Sequence, residues 1–157
     1  MHDDKIKIVF SKYPFCFRTI QISKFTNKLK NADEFFEKFK IIIEQLIPHV
    51  SQYTFSNIQG RTPHCHPVND ADKRKLVYEI VGKLVKNWNS GYNEEQFLKQ
   101  NLDGEIIWEL GLKDVRLFGI RESNFFHVLF IDYHHLVYPS VKYNDKEYSR
   151  NKFGVIE

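Results

Sequence analysis

Residues 105–138, EIIWELGLKDVRLFGIRESNFFHVLFIDYHHLVY, decide the fold of this chain. Three apolar-rich runs follow one another here, and short polar segments at 113–114 and 122–124 separate them. Side chains that alternate at period two are typical of strands, and polar interruptions between such runs predict hairpin turns. We therefore predict three consecutive antiparallel strands. The third run, residues 125–131, is apolar on both faces, which predicts that other elements cover both of its faces.

Helices are predicted before these strands. Between residues 33 and 46 apolar side chains recur at three- and four-residue spacing, and Pro48 is expected to end or kink this helix near its last turn. Residues 70–88 show the same spacing, and a shorter helix is predicted at 94–100. Residues 51–69, which contain glycine and prolines, are predicted to form an irregular connection between the two main helices.

The N-terminal residues are predicted to add to the sheet. Residues 5–10 and 15–22 both alternate at period two around a turn signal, so we expect them to form a hairpin. The predicted fold class is α+β, with an antiparallel sheet of three C-terminal strands and an N-terminal hairpin packed against two main helices. The chain is interpreted as one domain, made of an N-terminal hairpin and helix (1–60), a helix-and-sheet core (70–140) and a C-terminal tail (141–157).

Composition narrows the class of protein. The chain has 157 residues, which is long enough for one domain with a substantial core. Its two cysteines do not suggest a disulfide framework, and no apolar run approaches the ~20 residues of a membrane-spanning helix. We expect a cytoplasmic protein without a membrane partner. The net charge of +3 is mild, although residues 1–68 contain ten Lys and Arg against six Asp and Glu, so nucleic-acid binding is permitted rather than required.

His64, Cys65 and His66 form a candidate metal site between two prolines. Imidazole and thiolate are zinc ligands, but a structural zinc site needs about four ligands, and the second pair is missing from the local sequence. His134 and His135 complete the set only if the fold brings them to this loop. The simpler interpretation is an exposed loop with a partly buried cysteine, and no cofactor is then required.

Asp132, His134, His135 and Tyr138 follow the third predicted strand and form the main candidate catalytic group. A histidine near its ordinary pKa of about 6.5 can donate or accept a proton at physiological pH, and a neighbouring carboxylate can fix its tautomer. The alternative interpretation is a turn whose polar side chains cap the exposed edge of the sheet.

Basic side chains in and after the strands are candidates for contacts to phosphate. Arg116 and Arg121 lie in the second predicted strand, and paired guanidinium donors stabilise the charge that develops during phosphodiester cleavage. Their odd separation sends the two arginines to opposite faces of an unbroken strand. Pairing with nearby glutamates is the simpler alternative. The remaining candidates are His127 for catalysis and Lys113, Lys142 and Tyr143 for RNA binding.

The order of a helix at 70–88, a short helix at 94–100 and the strands IIWELGL, VRLFGI and FFHVLFI resembles the core of the RelE/ParE/HigB superfamily of small bacterial toxins. In that superfamily paired helices precede an antiparallel sheet whose first strand often contains an "ELR"-like segment. The corresponding segment here is Trp108-Glu109-Leu110-Gly111-Leu112. The likeness spans residues 70–140, and the chain departs from it in its N-terminal extension and in DYHHLVYP, which replaces a basic motif.

The resemblance implies a ribosome-dependent endoribonuclease that cleaves mRNA without a metal, with RNA or the ribosome and a cognate antitoxin as partners. It also implies roles for two sets of residues. Arg116 and Arg121 match in kind the arginines of the corresponding strand, and the proton-transfer groups available are His127, His134 and Tyr138.

The sequence thus predicts an RNA-cleaving toxin-like or phage-defence effector. Two other classes of protein stay open. One is a non-enzymatic interaction module, such as an antitoxin, inhibitor or accessory protein of a mobile-element system, whose sheet edge and helices bind another protein. The other is a metal-dependent hydrolase, with zinc as its cofactor, built on His64, His66, Asp132 and His134.

Overall fold

A computed structural model of the protein describes residues 4–139, 148 and 150–157. Over this part of the chain the strands are β1 (Lys7–Val9), β2 (Gln21–Ile22), β3 (Phe25–Thr26), β4 (His66–Pro67), β5 (Ile106–Leu112), β6 (Val115–Glu122) and β7 (Phe125–Asp132). The helices are α1 (Ala32–Ile41), α2 (Ile47–Val50), α3 (Phe55–Ile58), α4 (Ala71–Trp88) and α5 (Glu94–Asn101), and a π-helical segment, Ile42–Leu46, joins α1 to α2. The mixed content confirms the predicted α+β fold class. No helix in these residues combines the length and apolar character that crossing a bilayer requires.

Strands β5, β6 and β7 form the antiparallel arrangement that the sequence predicts. The tight turns between them pass through Lys113 and Ser123, whose φ angles are 54° and 57°, as short hairpin turns require. The sheet has five strands in the order β1-β7-β6-β5-β4, so β7 lies inside it. Residues 126–132 are all buried, which confirms that both faces of this strand are covered.

Helices cover the two faces of the sheet. On one face, buried residues of α4 pack in one core with Phe118 and Ile120 of β6. Helix α5 lies against α4 at Gly82, where an added Cβ would come within 3.2 Å of Glu94 Oε2, so the glycine permits a close helix contact. On the other face, the π-helical segment, α2 and α3 form a second core that includes Trp108. The two cores place the helices in separate layers on either side of the sheet.

The predicted N-terminal hairpin is wrong in its pairing. β1 lies parallel to β7, with Lys7 opposite Phe125, and residues 14–17 form a turn. The hairpin in this region joins β2 to β3 instead, with Gln21 opposite Thr26. Period-two alternation predicts a strand but does not identify its partner, and a parallel pairing needs a long connection that leaves no local signal. The five-stranded sheet is therefore mixed and takes strands from the N-terminal and C-terminal parts of the chain.

Residues 51–69 are more regular than predicted. Thr54 and Asn57 form a capping box at the start of α3, with each side chain accepting from the backbone N–H of the other. Further on, β4 pairs with β5 and brings His66 opposite Glu109. β4 is an edge strand, where Pro67 is tolerated because the outer side of an edge needs no N–H donor. A strand of two residues is too short to show alternation in the sequence.

The first predicted helix extends beyond Leu46. Helical backbone continues through the π-helical segment and α2 as far as Val50, although Pro48 lacks the N–H that an α-helix needs. The π-helical turn changes the hydrogen-bond pattern just before the proline, where a regular α-helical ladder would be interrupted.

Candidate functional site

A group of polar side chains lies on the α4 side of the sheet, near the end of β7. Residues directly opposite each other in antiparallel strands share a face, and so do alternate residues of one strand. Gly111, Arg116 and Asp132 are opposite one another on three adjacent strands. Glu109 lies two residues from Gly111 and opposite Phe118, which packs in the α4 core. The register therefore sends the carboxylates and the guanidinium to one face.

Glu109 is at the centre of this group. It is 2% exposed, and its Oε2 lies 2.8 Å from His66 Nε2 while its Oε1 lies 3.2 Å from Arg116 Nε. Arg116 is 1% exposed, and its Nη1 donates to the carbonyl oxygens of Lys113 and Val115 at 2.6 and 2.9 Å. A buried charge is tolerated when it is paired and hydrogen-bonded. The guanidinium is therefore directed at Glu109 and backbone carbonyl groups, which agrees with the glutamate pairing that the sequence left open as the simpler alternative to phosphate binding.

Gly111 makes room for the Arg116 side chain. A Cβ added at Gly111 would lie 2.7 Å from Arg116 Nε and 2.9 Å from Nη1, which is closer than real Cβ contacts. The arginine therefore lies directly over the glycine. The segment 108–112 supplies both the carboxylate that pairs with the guanidinium and the space that the arginine needs.

Four rings lie between this buried pair and the surface, of which His135 is buried and the other three are partly exposed. The ring centroids of His64 and His135 are 6.4 Å apart, and His66 meets Tyr138 edge-on at 5.2 Å. Lys73 of α4 places its Nζ 5.4 Å from the centroid of the Tyr138 ring. The His66 side chain is 29% exposed, so the group is open to a ligand. We call the following set the sheet-end cluster: His64, His66, Glu109, Arg116, His135 and Tyr138.

The pKa values of His64 and His66 are shifted in opposite directions. The hydrogen bond to Glu109 raises the pKa of His66. Its Nδ1 also lies 2.9 Å from the Pro67 carbonyl oxygen, so both ring nitrogens face acceptors, as in an imidazolium. Burial, followed by the charge of Arg116, lowers the pKa of His64. The cluster therefore favours a cationic His66 beside a neutral His64.

The remaining rings of the cluster keep uncharged forms at neutral pH. Burial and the charge of Arg116 lower the pKa of His135. Burial and the charge of Glu109 raise the pKa of Tyr138 to about 12. Tyr138 therefore retains its phenolic proton, and His135 stays a neutral imidazole.

Asp132 holds the turn that follows β7. Its buried Oδ2 accepts from the backbone N–H groups of Leu136 and Val137 at 2.7 and 2.8 Å, and its Oδ1 accepts from that of His134 at 3.3 Å. These bonds fix the turn that carries the last two members of the sheet-end cluster. Burial raises the pKa of Asp132 to about 6, and the three backbone hydrogen bonds oppose that rise. The geometry gives Asp132 a positioning role beside the cluster.

His134 points away from the sheet-end cluster. Its Nε2 lies 2.7 Å from the Lys28 carbonyl oxygen and 3.3 Å from Asn151 Nδ2, and its ring centroid is 4.4 Å from that of Tyr148. Burial lowers the pKa of this histidine. The polar residues that follow β7 therefore do not form one site. His135 belongs to the sheet-end cluster, whereas His134 packs against the N-terminal and C-terminal segments.

The candidate metal ligands are also divided. The loop of His64 and His66 reaches the exit of β7, but Cys65 Sγ lies in the opposite core, 3.8 Å from the Gly111 carbonyl oxygen and 3.8 Å from Thr62 Oγ1. Burial raises the pKa of Cys65, which disfavours the thiolate that binds metals. Among the described residues, no group of three or more His, Cys, Asp or Glu side chains is placed to hold a metal ion. The zinc alternative stays a prediction.

Arg121 lies on the other face of β6 from Arg116. Its guanidinium is over the Phe55 ring at 4.7 Å, in the core layer formed by α3. The register shift beside Gly119 puts the extra residue, Leu129, in β7, so β6 keeps its alternation. The two arginines therefore do not converge on one site.

The other basic candidates also lie apart from the cluster or outside the described residues. His127 is near the start of β7, with its Nε2 3.5 Å from Glu122 Oε1. Lys113 is in the turn between β5 and β6 and contributes its carbonyl oxygen to Arg116. Lys142 and Tyr143 lie outside the described residues.

Glu109 is the central residue that the sequence did not single out. Glu109 lies on the face of β5 opposite the apolar face of Trp108 and Leu110, which predicts a carboxylate exposed to solvent. In the structure the side chain is buried. The signal available in the sequence is Ile107, an apolar residue two positions earlier on the same face of β5, which indicates that this face is covered.

The fold and the site define an α+β protein with a buried glutamate–arginine pair beneath a histidine-bearing surface. Over residues 11–157 the chain matches the family described as "Uncharacterised protein UU032", and it belongs to that family. It is similar to the protein of that description from Ureaplasma parvum serovar 3, with 30% identity over 146 residues that cover 92% of this chain and 77% of the relative. No solved structure matches the chain. The match includes every member of the sheet-end cluster but leaves out β1.

Proposed function

We propose that the protein is a metal-independent endoribonuclease that acts in the cytoplasm as a toxin-like or phage-defence effector. The observation that carries the proposal is the sheet-end cluster, in which a neutral His64 lies beside a His66 that Glu109 favours as a cation. Groups whose environments move their pKa values apart are suited to separate roles in one reaction. Cleavage of RNA through its 2′-hydroxyl group needs a base, an acid and a stabiliser of negative charge.

In the proposed reaction His64 accepts the proton of the 2′-hydroxyl group. The 2′ oxygen forms a bond to phosphorus while the bond from phosphorus to the 5′ oxygen breaks. Tyr138 donates its phenolic proton to the leaving oxygen, and the adjacent His66 imidazolium stabilises the charge on the phosphate. The products are a 2′,3′-cyclic phosphate and a 5′-hydroxyl group. Proton exchange with solvent returns His64 and Tyr138 to their starting states.

Glu109 and Arg116 act through the histidines. Both are at most 2% exposed, so neither side chain reaches a bound RNA. The Glu109 carboxylate raises the pKa of His66, and burial together with the Arg116 guanidinium lowers the pKa of His64. They are positioning residues, and their substitution is expected to change the pH dependence of cleavage as well as its rate.

The direct test is cleavage of end-labelled RNA by the purified protein in the presence of EDTA. We expect His64→Asn and Tyr138→Phe each to lower the rate on the order of 10²-fold, the contribution typical of a positioned acid or base. His49→Asn is the matched control, because His49 is a partly exposed histidine of α2 outside the cluster. Cleavage at equal rates in all three variants would remove the assignment of roles. Intact RNA in every reaction, with and without translating ribosomes, would remove the proposed activity.

Expression in bacteria tests the biological role. We expect growth arrest with the wild-type chain and its relief by His64→Asn. Arg121→Ala is the control, since Arg121 lies on the opposite face of the sheet from the cluster. Normal growth with the wild-type chain, at a level of protein confirmed by immunoblot, would contradict a toxic effector.

A second candidate function is a non-enzymatic protein-interaction module whose partner is an antitoxin or another protein. The observation that favours it is an exposed apolar stripe, with Phe36 of α1 63% exposed and Ile43 of the π-helical segment 45% exposed. No residue of α1 is buried. We expect a stoichiometric partner that is lost in Phe36→Glu and Ile43→Glu and kept in the control Tyr92→Glu, with RNA left intact. Unchanged partner binding in the Phe36 and Ile43 variants would contradict this stripe as the interface.

A further inference from the structure

Three adjoining surface grooves surround the β2–β3 hairpin. The first lies between this hairpin and α4 and is lined by Lys28 and Lys83, among others. The second follows the hairpin itself and shares Gln21 and Ile22 with the first. The third continues along the start of α4 and shares Lys24 with the second. Neighbouring grooves share lining residues and therefore adjoin one another, and we call the three together the hairpin groove.

The hairpin groove is lined by more cations than anions. Five lysines face it against three carboxylates, those of Asp72, Glu79 and Glu157. Among the described residues, no carboxylate forms an ion pair with any of these lysines, whereas Lys12, Lys38 and Lys40 elsewhere are paired. The lysines of the groove are Lys24, Lys28, Lys73, Lys75 and Lys83. Their charges are therefore available to an anionic ligand.

Two residues that line the hairpin groove also adjoin the sheet-end cluster or the turn that carries it. Lys73 lines the groove, and its Nζ also lies 5.4 Å from the centroid of the Tyr138 ring. Leu136 lines the middle groove and belongs to the turn that Asp132 fixes. A chain bound along the groove thus passes close to Tyr138, whose ring lies edge-on to that of His66.

The shape and composition of the groove distinguish between polyanions. Its three parts border a hairpin whose strands have two residues each, and a flexible single strand can enter three small adjoining grooves more readily than a stiff duplex. Basic grooves with an aromatic side chain are typical of proteins that bind single-stranded nucleic acid, and Tyr148 lines this one. A lipid surface is disfavoured, because the large exposed apolar side chains of the described residues, such as Phe36 and Phe125, do not line the groove.

We propose that the hairpin groove binds the single-stranded RNA that flanks the cleaved bond. This inference rests on the proposed endoribonuclease function and adds to it the path of the substrate. Each lysine that neutralises a phosphate releases a counterion, so binding should weaken steeply as salt is raised. The groove also supplies affinity at a distance from the reacting atoms, which explains how a cluster of only partly exposed rings could hold a long substrate.

The test is fluorescence anisotropy with a short fluorescein-labelled single-stranded RNA of mixed sequence, over a range of salt concentrations. The variant is Lys24→Ala/Lys75→Ala/Lys83→Ala, in the background His64→Asn to prevent cleavage. The loss of three phosphate contacts should weaken binding about tenfold or more and reduce the slope of log K against log salt by about 2. The charge-matched control replaces three exposed lysines away from the groove, Lys5, Lys7 and Lys99, with Ala. Thermal unfolding verifies that both triple variants are folded.

Four outcomes distinguish a failure of the groove proposal from a failure of the proposed activity. Weaker binding and a smaller salt slope in the groove variant alone support the proposal, even if the wild-type chain cleaves no RNA. Equal binding by both triple variants overturns it, even if the wild-type chain cleaves RNA. Absence of RNA binding in every protein overturns the groove proposal, and intact RNA in every cleavage reaction, with and without ribosomes, overturns the proposed activity. Binding to vesicles containing phosphatidylglycerol, lost in the groove variant and without RNA binding, overturns the RNA assignment in favour of a membrane surface.

Discussion

Replacing Glu109 with Gln perturbs the centre of the site with little change in shape. The variant loses the negative charge that lies 2.8 Å from His66 Nε2 and 3.2 Å from Arg116 Nε. Removing one partner of a buried ion pair costs about 3–5 kcal/mol, because the other charge is left without compensation. The amide oxygen of Gln still accepts a hydrogen bond, so we expect about 3 kcal/mol, or roughly 6–12 °C in Tm for a domain of this size.

Glu122→Gln is the matched control for this experiment. The Glu122 side chain is 63% exposed, and its carboxylate lies 3.5 Å from both His127 Nε2 and Lys12 Nζ. The chemical change and the kinds of partner are thus similar, but water solvates the charges. Exposed ion pairs contribute about 0–1 kcal/mol, so the control should lose no more than that.

The cost of Glu109→Gln should also depend on pH. Glu109 raises the pKa of His66 in the folded state above its unfolded value of about 6.5. The stabilisation is therefore fully present below about pH 6.5 and is lost as the pH rises through the folded-state pKa. The free energy of unfolding, measured by urea titration with circular dichroism, should show a larger gap between wild type and Glu109→Gln at the acidic end of this range. Equal losses in the Glu109 and Glu122 variants, or a gap that does not change with pH, would refute the reasoning.

Three further predictions follow from the same geometry. Gly111→Ala should displace the Arg116 guanidinium and cost about 1–3 kcal/mol in urea unfolding, as overpacking does. Gly60→Ala is the control and should be nearly neutral, because nothing lies within 4 Å of a Cβ added there. Equal losses of stability in the two glycine variants would contradict the close contact between Gly111 and Arg116. Asp132→Asn removes a carboxyl group whose pKa is raised from 3.8 to about 6. Wild type should therefore lose stability relative to the variant as the pH rises through that range. Stability curves that stay parallel across this range would contradict the raised pKa. Purified protein should contain less than one equivalent of zinc by mass spectrometry, whereas stoichiometric zinc that raises Tm when restored would support the metal alternative.

The sequence predicts the local elements of this fold better than their partners. The turns at Lys113 and Ser123, the three strands around them and the helix that begins after Asn93 are all present, because each depends on residues a few positions apart. Alternation in residues 5–10 does predict a strand, but the residue opposite Lys7 is Phe125, and nothing local links the two. Pairing between distant segments depends on which open edge remains after the other strands have formed.

Only the part of the candidate site formed by residues close together in sequence was predictable. His135 and Tyr138 are near one another in sequence and both belong to the sheet-end cluster, while the adjacent His134 contacts the Lys28 carbonyl oxygen, and His135 adopts a positive φ of 58°. The link between His66 and Glu109 depends on β4, a strand of two residues that sequence patterns do not reveal. Ile107 indicates that this face of β5 is covered, but the near-complete burial of Glu109 depends on the elements packed over the face, which alternation does not identify.

The parallel pairing of β1 with β7 has a consequence for the synthesis of the chain. Lys7 and Phe125 are neighbours in the sheet but far apart in the chain, so β1 emerges from the ribosome long before its partner exists. Until β1 docks, one edge of β7 is open, and β7 is buried along residues 126–132 in the finished fold. An open, apolar edge is the kind of surface that recruits strands from other molecules. We therefore expect the three residues of β1 to protect the newly made sheet from aggregation, and their long-range docking to limit the rate at which folded protein accumulates.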